Sequence, residues 1–325
     1  MKSLKTFNMK ILLVIMAFCS LTGCGSKENN KQAESTNGEG MEEQQESTNN
    51  AVDEVTLEGS HETDVEILQG LIEEQRTLGA DVSEDINDAE QYQWDEDGRL
   101  VRIVWQEKNL SGTISFQGLT SLVELYVDDN SLTALDVSDC TALTTLFCTN
   151  NELDSLDLSN CGLIYELYCS RNQLENLDIS HCSELSELAC SHNQLVSLDL
   201  ENCTKLRRLS CNGNRFDTLD VSNCSNLQKL YCTDNMLEVL DVSQCPKLTE
   251  MACNKNQIKT LDVTNCPDLQ EFYCQENMLE SLDVSNCPEL AELICYDNQV
   301  STLDVSTCTK LENLECDDEV SVIRN

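Results

Sequence analysis

The sequence has 325 residues, of which 59 are Asp or Glu and 20 are Lys or Arg, so its formal net charge at pH 7 is −39. A surface with this excess of anions repels nucleic acid and anionic lipid headgroups, which argues against partners of either class. The length would suit about two average domains, but such an estimate does not apply to repeat arrays.

Residues 1–23 predict a secretory signal. A basic segment with three lysines precedes an apolar run, 11–18, that is too short for a stable membrane span. The run leads into Leu-Thr-Gly-Cys at 21–24, which resembles the bacterial lipobox. The resemblance implies a lipid anchor on Cys24 and a location on the outer face of the bacterial cell membrane. A plain cleaved signal followed by an incidental Cys is the alternative.

Residues 24–62 predict a disordered acidic tether. The segment consists mainly of Ser, Glu, Gln, Asn and Lys. With almost no large apolar side chain, it cannot bury enough surface to offset the entropy of ordering. A flexible chain of this length spans on the order of 35 Å, enough to hold a domain clear of a membrane surface.

Residues 63–121 predict a helical and hairpin cap that ends in a degenerate first repeat. Thr63 and Glu66 form a capping-box pattern, and Gly79 follows at the expected helix stop. One face of the helix carries Val65, Leu68, Leu71, Ile72 and Leu78. The predicted hairpin has Tyr92 and Trp94 before a turn at 95–98, and Leu100, Ile103 and Trp105 after it.

Residues 122–310 repeat with a strict period of 21 and form nine units; a partial unit and a tail fill 311–325. One unit reads Leu143-Thr-Thr-Leu146-Phe-Cys148-Thr-Asn-Asn151-Glu-Leu153. An Asn recurs at 130, 151, 172, 193, 214, 235, 256, 277 and 298. An Asp recurs at Asp136, Asp157, Asp178, Asp199, Asp220, Asp241, Asp262, Asp283 and Asp304.

The unit L-x-x-L-x-C-x-x-N-x-L resembles a leucine-rich repeat over roughly 60% of the chain. The match is to the short bacterial class with a nested half-repeat, and only partly to the longer internalin-type unit. The resemblance implies a β-solenoid-like leucine-rich-repeat array. Its parallel strands stack along a right-handed coil, with a small α-helical N-terminal cap covering the exposed apolar end.

Alternation in the unit places Leu146 and Cys148 inward and Thr145 and Phe147 outward, as in a short parallel strand. Asn151 turns the chain, and its amide can bond unpaired backbone groups of neighbouring coils. The second half of the unit, 153–161, repeats the same template, so we expect two strand-like sides in each coil. At the C-terminus we expect the charge of the tail, rather than a folded cap, to protect the last coil.

Two columns of nine cysteines recur at steps of 21, from Cys140 to Cys308 and from Cys148 to Cys316. This periodicity predicts buried free thiols that pack as small apolar side chains. Disulfides are the first alternative, although equivalent positions point their Cβ vectors in parallel, which suits bridging poorly. Metal binding is the second, and it would need clustered thiolates.

The Asp column faces outward, and each carboxylate is expected to accept hydrogen bonds from nearby Ser, Thr or backbone N–H groups. Asp157, for example, lies between Ser155 and Ser159. A calcium-binding ladder formed by this column is the alternative, but one flat row of carboxylates offers the ion few directions of coordination. We therefore predict no metal site and no cofactor.

The predicted ligand-binding face is the outward side of the first strand. We name its two rows the aromatic column and the acidic column. The aromatic column contains Tyr126, Phe147, Tyr168, Tyr231 and Tyr273, with Ala189, Ser210, Ala252 and Ile294 at the other positions. The acidic column contains Glu124, Glu166, Glu187, Arg208, Lys229, Glu250, Glu271 and Glu292. Exposed apolar rows of this kind usually mark contact surfaces, but the aromatics could instead stabilise the sheet by stacking on one another.

No nucleophile is paired with a base, and the three histidines lie at His61, His181 and His192, in the tether and in turns. The sequence therefore indicates a protein that is not an enzyme. We predict a cell-surface lipoprotein that binds a protein or peptide in adhesion or recognition, with its membrane contact through the lipid anchor alone. Aromatic side chains beside acidic ones would suit a basic partner. Carbohydrate binding and a structural spacer without a specific ligand are the alternatives.

Overall fold

A computed structural model describes residues 62–324, and the fold below is that of this part of the chain. The predicted signal, the lipid anchor on Cys24 and the predicted tether up to residue 61 lie outside the described residues.

The described chain begins with one helix, α1 (Glu62–Thr77), whose apolar side is buried at Leu68, Leu71 and Ile72. Gly79 stops the helix as predicted: it has a φ of 99°, and the Ala80 N–H then donates to the Gln75 carbonyl at 2.9 Å. Leu78 was expected on the buried face but is 52% exposed, because it lies beyond the last helical residue.

A hairpin follows, as predicted, with β1 (Tyr92–Trp94) antiparallel to β2 (Leu100–Val104). A carboxylate that sequence reasoning missed ties the helix to this hairpin. Asp64 is 2% exposed, and it accepts Arg99 Nε at 2.8 Å and the Leu100 N–H at 3.0 Å. The buried charge is thereby both paired and hydrogen-bonded, as burial requires.

The main sheet has twelve strands in the order β1-β2-β4-β6-β7-β8-β9-β10-β11-β12-β13-β15, and every pair after β1–β2 is parallel. Its repeat strands are β4 (Glu124–Tyr126), β6 (Thr145–Phe147), β7 (Glu166–Tyr168), β8 (Glu187–Ala189), β9 (Arg208–Ser210), β10 (Lys229–Tyr231), β11 (Glu250–Ala252), β12 (Glu271–Tyr273), β13 (Glu292–Ile294) and β15 (Asn313–Glu315). Leu146 aligns with Leu167, and the 21-residue step continues along the array. The predicted solenoid of parallel strands is confirmed.

The second side of the coils is less regular than predicted. It forms strands only near the ends, where β3 (Ser111–Ser115) pairs with β5 (Ser131–Asp136) and β14 (Thr302–Asp304) pairs with β16 (Ser321–Ile323). In between, each coil gives one N–H to its neighbour, such as Gln173 to the Leu153 carbonyl at 2.8 Å. The next N–H, that of Leu174, goes to the Asn193 side chain instead, so no ladder develops.

The C-terminal tail also differs from the prediction of protection by charge alone, because residues 321–323 form β16 and pair with the preceding coil. Leu311 and Leu314 nevertheless remain partly exposed, whereas their equivalents Leu290 and Leu293 in the coil before are fully buried.

The predicted asparagine ladder is confirmed. Asn193 Nδ2 donates to the carbonyls of Cys169 and Cys190 at 3.0 and 3.1 Å, and its Oδ1 accepts the Leu174 N–H at 3.0 Å. Each ladder Asn therefore satisfies backbone groups of its own coil and of the coil before it. The residue preceding each ladder Asn is left-handed, with φ values such as 55° at Arg171 and 61° at Gly213.

Candidate binding face

The structure brings the predicted site residues onto one side of the main sheet. In strand β4 and in strands β6 to β13 the middle side chain is buried, and the first and third residues share the opposite side. Parallel registration then aligns Glu166 with Glu187 and Tyr168 with Ala189. The acidic and aromatic columns are therefore adjacent rows that run along the array.

The aromatic column is more buried than the sequence suggested. Tyr126 and Phe147 were expected to face solvent with few partners, but they are only 8% and 6% exposed. Their rings meet edge to face at 5.0 Å between centroids, and Phe147 stacks on Tyr168 at 4.3 Å. Mutual stacking thus accounts for the burial of these two rings. Tyr168, Tyr231 and Tyr273 remain half-buried.

Hydrogen bonds join the two columns diagonally. Tyr168 Oη donates to Glu187 Oε2 at 2.5 Å, and Tyr273 Oη donates to Glu292 Oε2 at 2.8 Å. Tyr231 makes the same contact with Glu250. Burial, together with these carboxylates, holds the pKa values of the three tyrosines above the ordinary value, so each hydroxyl stays a donor at neutral pH.

Two arginines lie over tyrosine rings of the aromatic column. The Arg208 guanidinium is 5.6 Å from the centroid of Tyr231. Arg102, which the sequence did not single out, is 5.2 Å from the centroid of Tyr126, and its Nε is 2.9 Å from Glu124 Oε2. The position of Arg102 could have been predicted, since it aligns with Glu124 on the neighbouring strand. This alignment is hard to recognise in the sequence because the first repeat is degenerate.

Glu166 differs from the other glutamates of the face. It is half-buried, and within residues 62–324 its carboxylate has no hydrogen-bond or ion-pair partner. Burial raises the pKa of Glu166 above its ordinary value, and the neighbouring carboxylates Glu187 and Glu124 raise it further. The surroundings therefore stabilise the negative charge of Glu166 poorly, and a cation placed beside it would be stabilised.

A second polar ladder, which was not predicted, is formed by the residues that directly follow the cysteine column from Cys148 to Cys316. Ser170 Oγ accepts the Ser191 N–H at 3.0 Å, and Ser191 Oγ accepts the Asn212 N–H at 3.0 Å. At its N-terminal end, Asp128 Oδ1 accepts the Thr149 N–H at 2.9 Å. Asp128 is buried, and burial raises its pKa to about 7.

The Asp column behaves as the sequence suggested for hydrogen bonding. Asp157 is exposed, and its Oδ1 accepts the Ser159 N–H at 2.9 Å. The backbone and side-chain hydrogen bonds from Ser159 lower the pKa of Asp157. Across the described residues, no group of three or more His, Cys, Asp or Glu side chains is arranged to hold a metal ion.

Seventeen of the eighteen repeat cysteines are buried, as predicted, and all eighteen are free thiols. In the column from Cys140 to Cys308, thiols donate hydrogen bonds to the backbone. Cys161 Sγ, for example, donates to the Val137 carbonyl at 3.6 Å. Cys316 in the last coil is half-exposed.

In the part of the chain from 62 to 324, no helix is both long and apolar enough to span a bilayer.

Solved structures with the same architecture include bacterial proteins. The functional domain of InlJ from Listeria monocytogenes, which includes a cysteine ladder, matches with a TM-score of 0.65 and 32% identity. The match covers 68% of this chain and 52% of the InlJ chain. The chain has the leucine-rich-repeat fold.

Two further leucine-rich-repeat structures are similar. LIC12759 of Leptospira interrogans is 26% identical with a TM-score of 0.53, and the match covers 62% of each chain. YopM of Yersinia pestis is 25% identical with a TM-score of 0.54, over 66% of this chain and 61% of YopM. This chain thus spans about half of the InlJ chain and less than two thirds of the other two. No protein-family model and no curated protein sequence matches it.

Proposed function

We propose that this chain is a lipid-anchored protein of the bacterial cell surface whose acidic and aromatic columns bind a protein or peptide partner in adhesion or recognition. The observation that carries the proposal is that the two columns run as adjacent rows along one face of the twelve-stranded sheet. Half-buried tyrosines such as Tyr168, Tyr231 and Tyr273, set beside charged groups, are the residue type that dominates protein interfaces. InlJ and YopM, as bacterial leucine-rich-repeat proteins, support an interaction role.

The face is tested by replacing Tyr168, Tyr231 and Tyr273 together with Ala in the full chain. A matched control replaces three exposed residues on the second side, Asn176, Thr218 and Thr260, with Ala. Both variants are first shown by circular dichroism to be folded at the assay temperature. Each is then used to capture proteins from the surroundings of the source cells and is applied to a glycan array.

Loss of protein capture in the tyrosine variant, with retention in the control, supports the proposal. Loss of signal only on the glycan array would assign the face to carbohydrate instead. Unchanged binding in both assays contradicts any role for the tyrosines in ligand binding.

The anchor is tested separately through Cys24. Growth with an alkyne-tagged fatty acid should label the parent protein, and Cys24→Ala should abolish the label and release the protein from the membrane fraction. Retention of the label on the Cys24→Ala protein contradicts the proposed lipidation site.

A further inference from the structure

The aromatic column contains a gap. After Tyr168 the next two positions hold the small residues Ala189 and Ser210, and the following ring is that of Tyr231. At about 4.8 Å per coil, the coils of Tyr168 and Tyr231 are roughly 14 Å apart. Phe147 covers one face of the Tyr168 ring, so the opposite face borders the gap.

Elsewhere on the same face, the chain itself shows what such a tyrosine accepts. Arg102 lies over the Tyr126 ring and pairs with Glu124, which also accepts the Tyr126 hydroxyl at 3.1 Å. Arg208 lies over the Tyr231 ring, whose hydroxyl donates to Glu250. A guanidinium, a phenol ring and a carboxylate thus lie together twice, with an ion pair between guanidinium and carboxylate in the first case.

Tyr168 has two of the three parts. Its hydroxyl donates to Glu187, and Glu166 lies beside it in the acidic column, half-buried and, among the described residues, without a cation. In place of a guanidinium, its covered face has Phe147. The ring face toward Ala189 is the position where a guanidinium could complete the unit from outside.

We propose that the gap over Ala189 and Ser210 receives an arginine side chain of the partner, which stacks on the free face of Tyr168 and pairs with Glu166. This inference rests on the proposed function, since the arginine belongs to the bound protein or peptide. Arginine fits better than lysine because its planar group can stack on a ring and bond a carboxylate through two N–H groups at once. An anionic side chain stacked on Tyr168 would meet Glu166 and Glu187, whereas Arg208 lies at the other end of the gap, over the Tyr231 ring.

The test is a titration of the full chain, labelled with ¹³C in alanine methyl groups, followed by NMR. The probe is acetyl-Gly-Arg-Gly-amide, and its matched control carries citrulline, which has the shape of arginine without the charge. The Ala189 methyl signal is assigned from its loss in Ala189→Ser. We expect a saturable shift of this signal with the arginine peptide and at least tenfold weaker binding of the citrulline peptide.

Two variants locate the contact. Glu166→Gln keeps the side-chain shape and should weaken binding of the arginine peptide about fivefold, which corresponds to about 1 kcal/mol. Ala189→Arg should fill the gap from within and abolish binding, whereas Thr260→Arg, an exposed position on the second side, should leave it unchanged.

An Ala189 signal that does not move, or that moves equally with both peptides, overturns the inference. Its failure is distinct from failure of the proposed function. If Ala189→Arg still captures a protein partner that the triple tyrosine variant loses, the face binds protein without this arginine. If the triple variant loses no partner, the proposed function fails whatever the peptide does.

Discussion

The ladder asparagines carry more of the stability than their polar side chains suggest. In Asn193→Ala, the N–H of Leu174 loses its acceptor inside the core. The carbonyls of Cys169 and Cys190 each lose one of two donors and keep Asn172 and Asn214. Leaving the buried Leu174 N–H unsatisfied costs about 1–3 kcal/mol and each lost carbonyl bond costs about 0.5–1.5 kcal/mol, so we expect a total loss of about 3 kcal/mol. Urea unfolding measures this loss.

Asn202→Ala is the matched control for that experiment. Asn202 is exposed and donates a single bond to the Ser180 carbonyl, so its replacement should change the free energy of unfolding by less than about 0.5 kcal/mol. Equal losses in the free energy of unfolding in Asn193→Ala and Asn202→Ala would show that a position in the asparagine ladder does not matter for stability.

Two aspartates predict opposite pH dependences. Burial raises the pKa of Asp128 to about 7, so between about pH 4 and 7 the folded state holds a proton that the unfolded chain releases. The free energy of unfolding therefore falls as pH rises through this window. Asp128→Asn should be more stable than the parent by about 2–4 kcal/mol at pH 8 and equally stable near pH 4, as measured by urea unfolding.

Asp157 gives the opposite sign. Hydrogen bonds from Ser159 lower its pKa, so it stabilises the folded state at neutral pH, and this contribution disappears as pH falls through its titration range. Asp157→Asn should therefore be less stable than the parent at pH 7 and match it at low pH. The same pH trend in Asp157→Asn as in Asp128→Asn would contradict both assignments.

At the scale of the strand, Phe147 links two tyrosines into one stack. Aromatic pairs contribute about 0.5–1.5 kcal/mol each beyond area burial, so Phe147→Leu should cost about 1–3 kcal/mol. Ile294→Leu, in the same column and beside Tyr273 but with no aromatic pair to lose, should be nearly neutral. Urea unfolding of Phe147→Leu, Tyr168→Leu and the double variant gives the coupling. If the losses in the free energy of unfolding of the two single variants simply add in the double variant, the rings do not act as a unit.

The elements that the sequence predicted well are those fixed by local pattern. Helix α1, the hairpin and the repeat strands follow from apolar spacing, Gly79 and the 21-residue period. The second side was predicted to be strand-like in every coil, which is too regular. Alternation of apolar residues indicates which side chains are buried, and not which backbone groups pair. Gln173 and Leu174 illustrate the difference, since their N–H groups go to different kinds of acceptor.

The site was predicted in placement but not in environment. The period alone put the acidic and aromatic columns on one face, whereas the burial of Phe147 depends on the residues one coil away on both sides. Arg102 was missed because its repeat is degenerate. The left-handed residues before each ladder Asn were also missed, although Asp129, Asn150 and Gly213 are types that tolerate this conformation.

At the scale of the whole molecule, the thiols report on coil integrity. Burial raises the pKa of Cys190 to about 12, whereas Cys316 lies half-exposed in the last coil. Among the repeat cysteines of the folded protein, iodoacetamide should label Cys316 first and the other seventeen only on unfolding, as followed by peptide mass spectrometry. Cys316→Ser should remove the early label. Labelling of Cys148 at the rate of Cys316 would contradict a closed core.

The asparagine ladder and the strand pairing connect each coil only to its neighbours. A force pulling the two ends of the array apart therefore loads the coils in series, and the weakest terminal coil yields first. Each coil that comes free releases 21 residues, or about 70 Å of extended chain, in place of about 4.8 Å of stacked length. We therefore expect the array of coils to lengthen in even steps under tension, with the remaining coils intact.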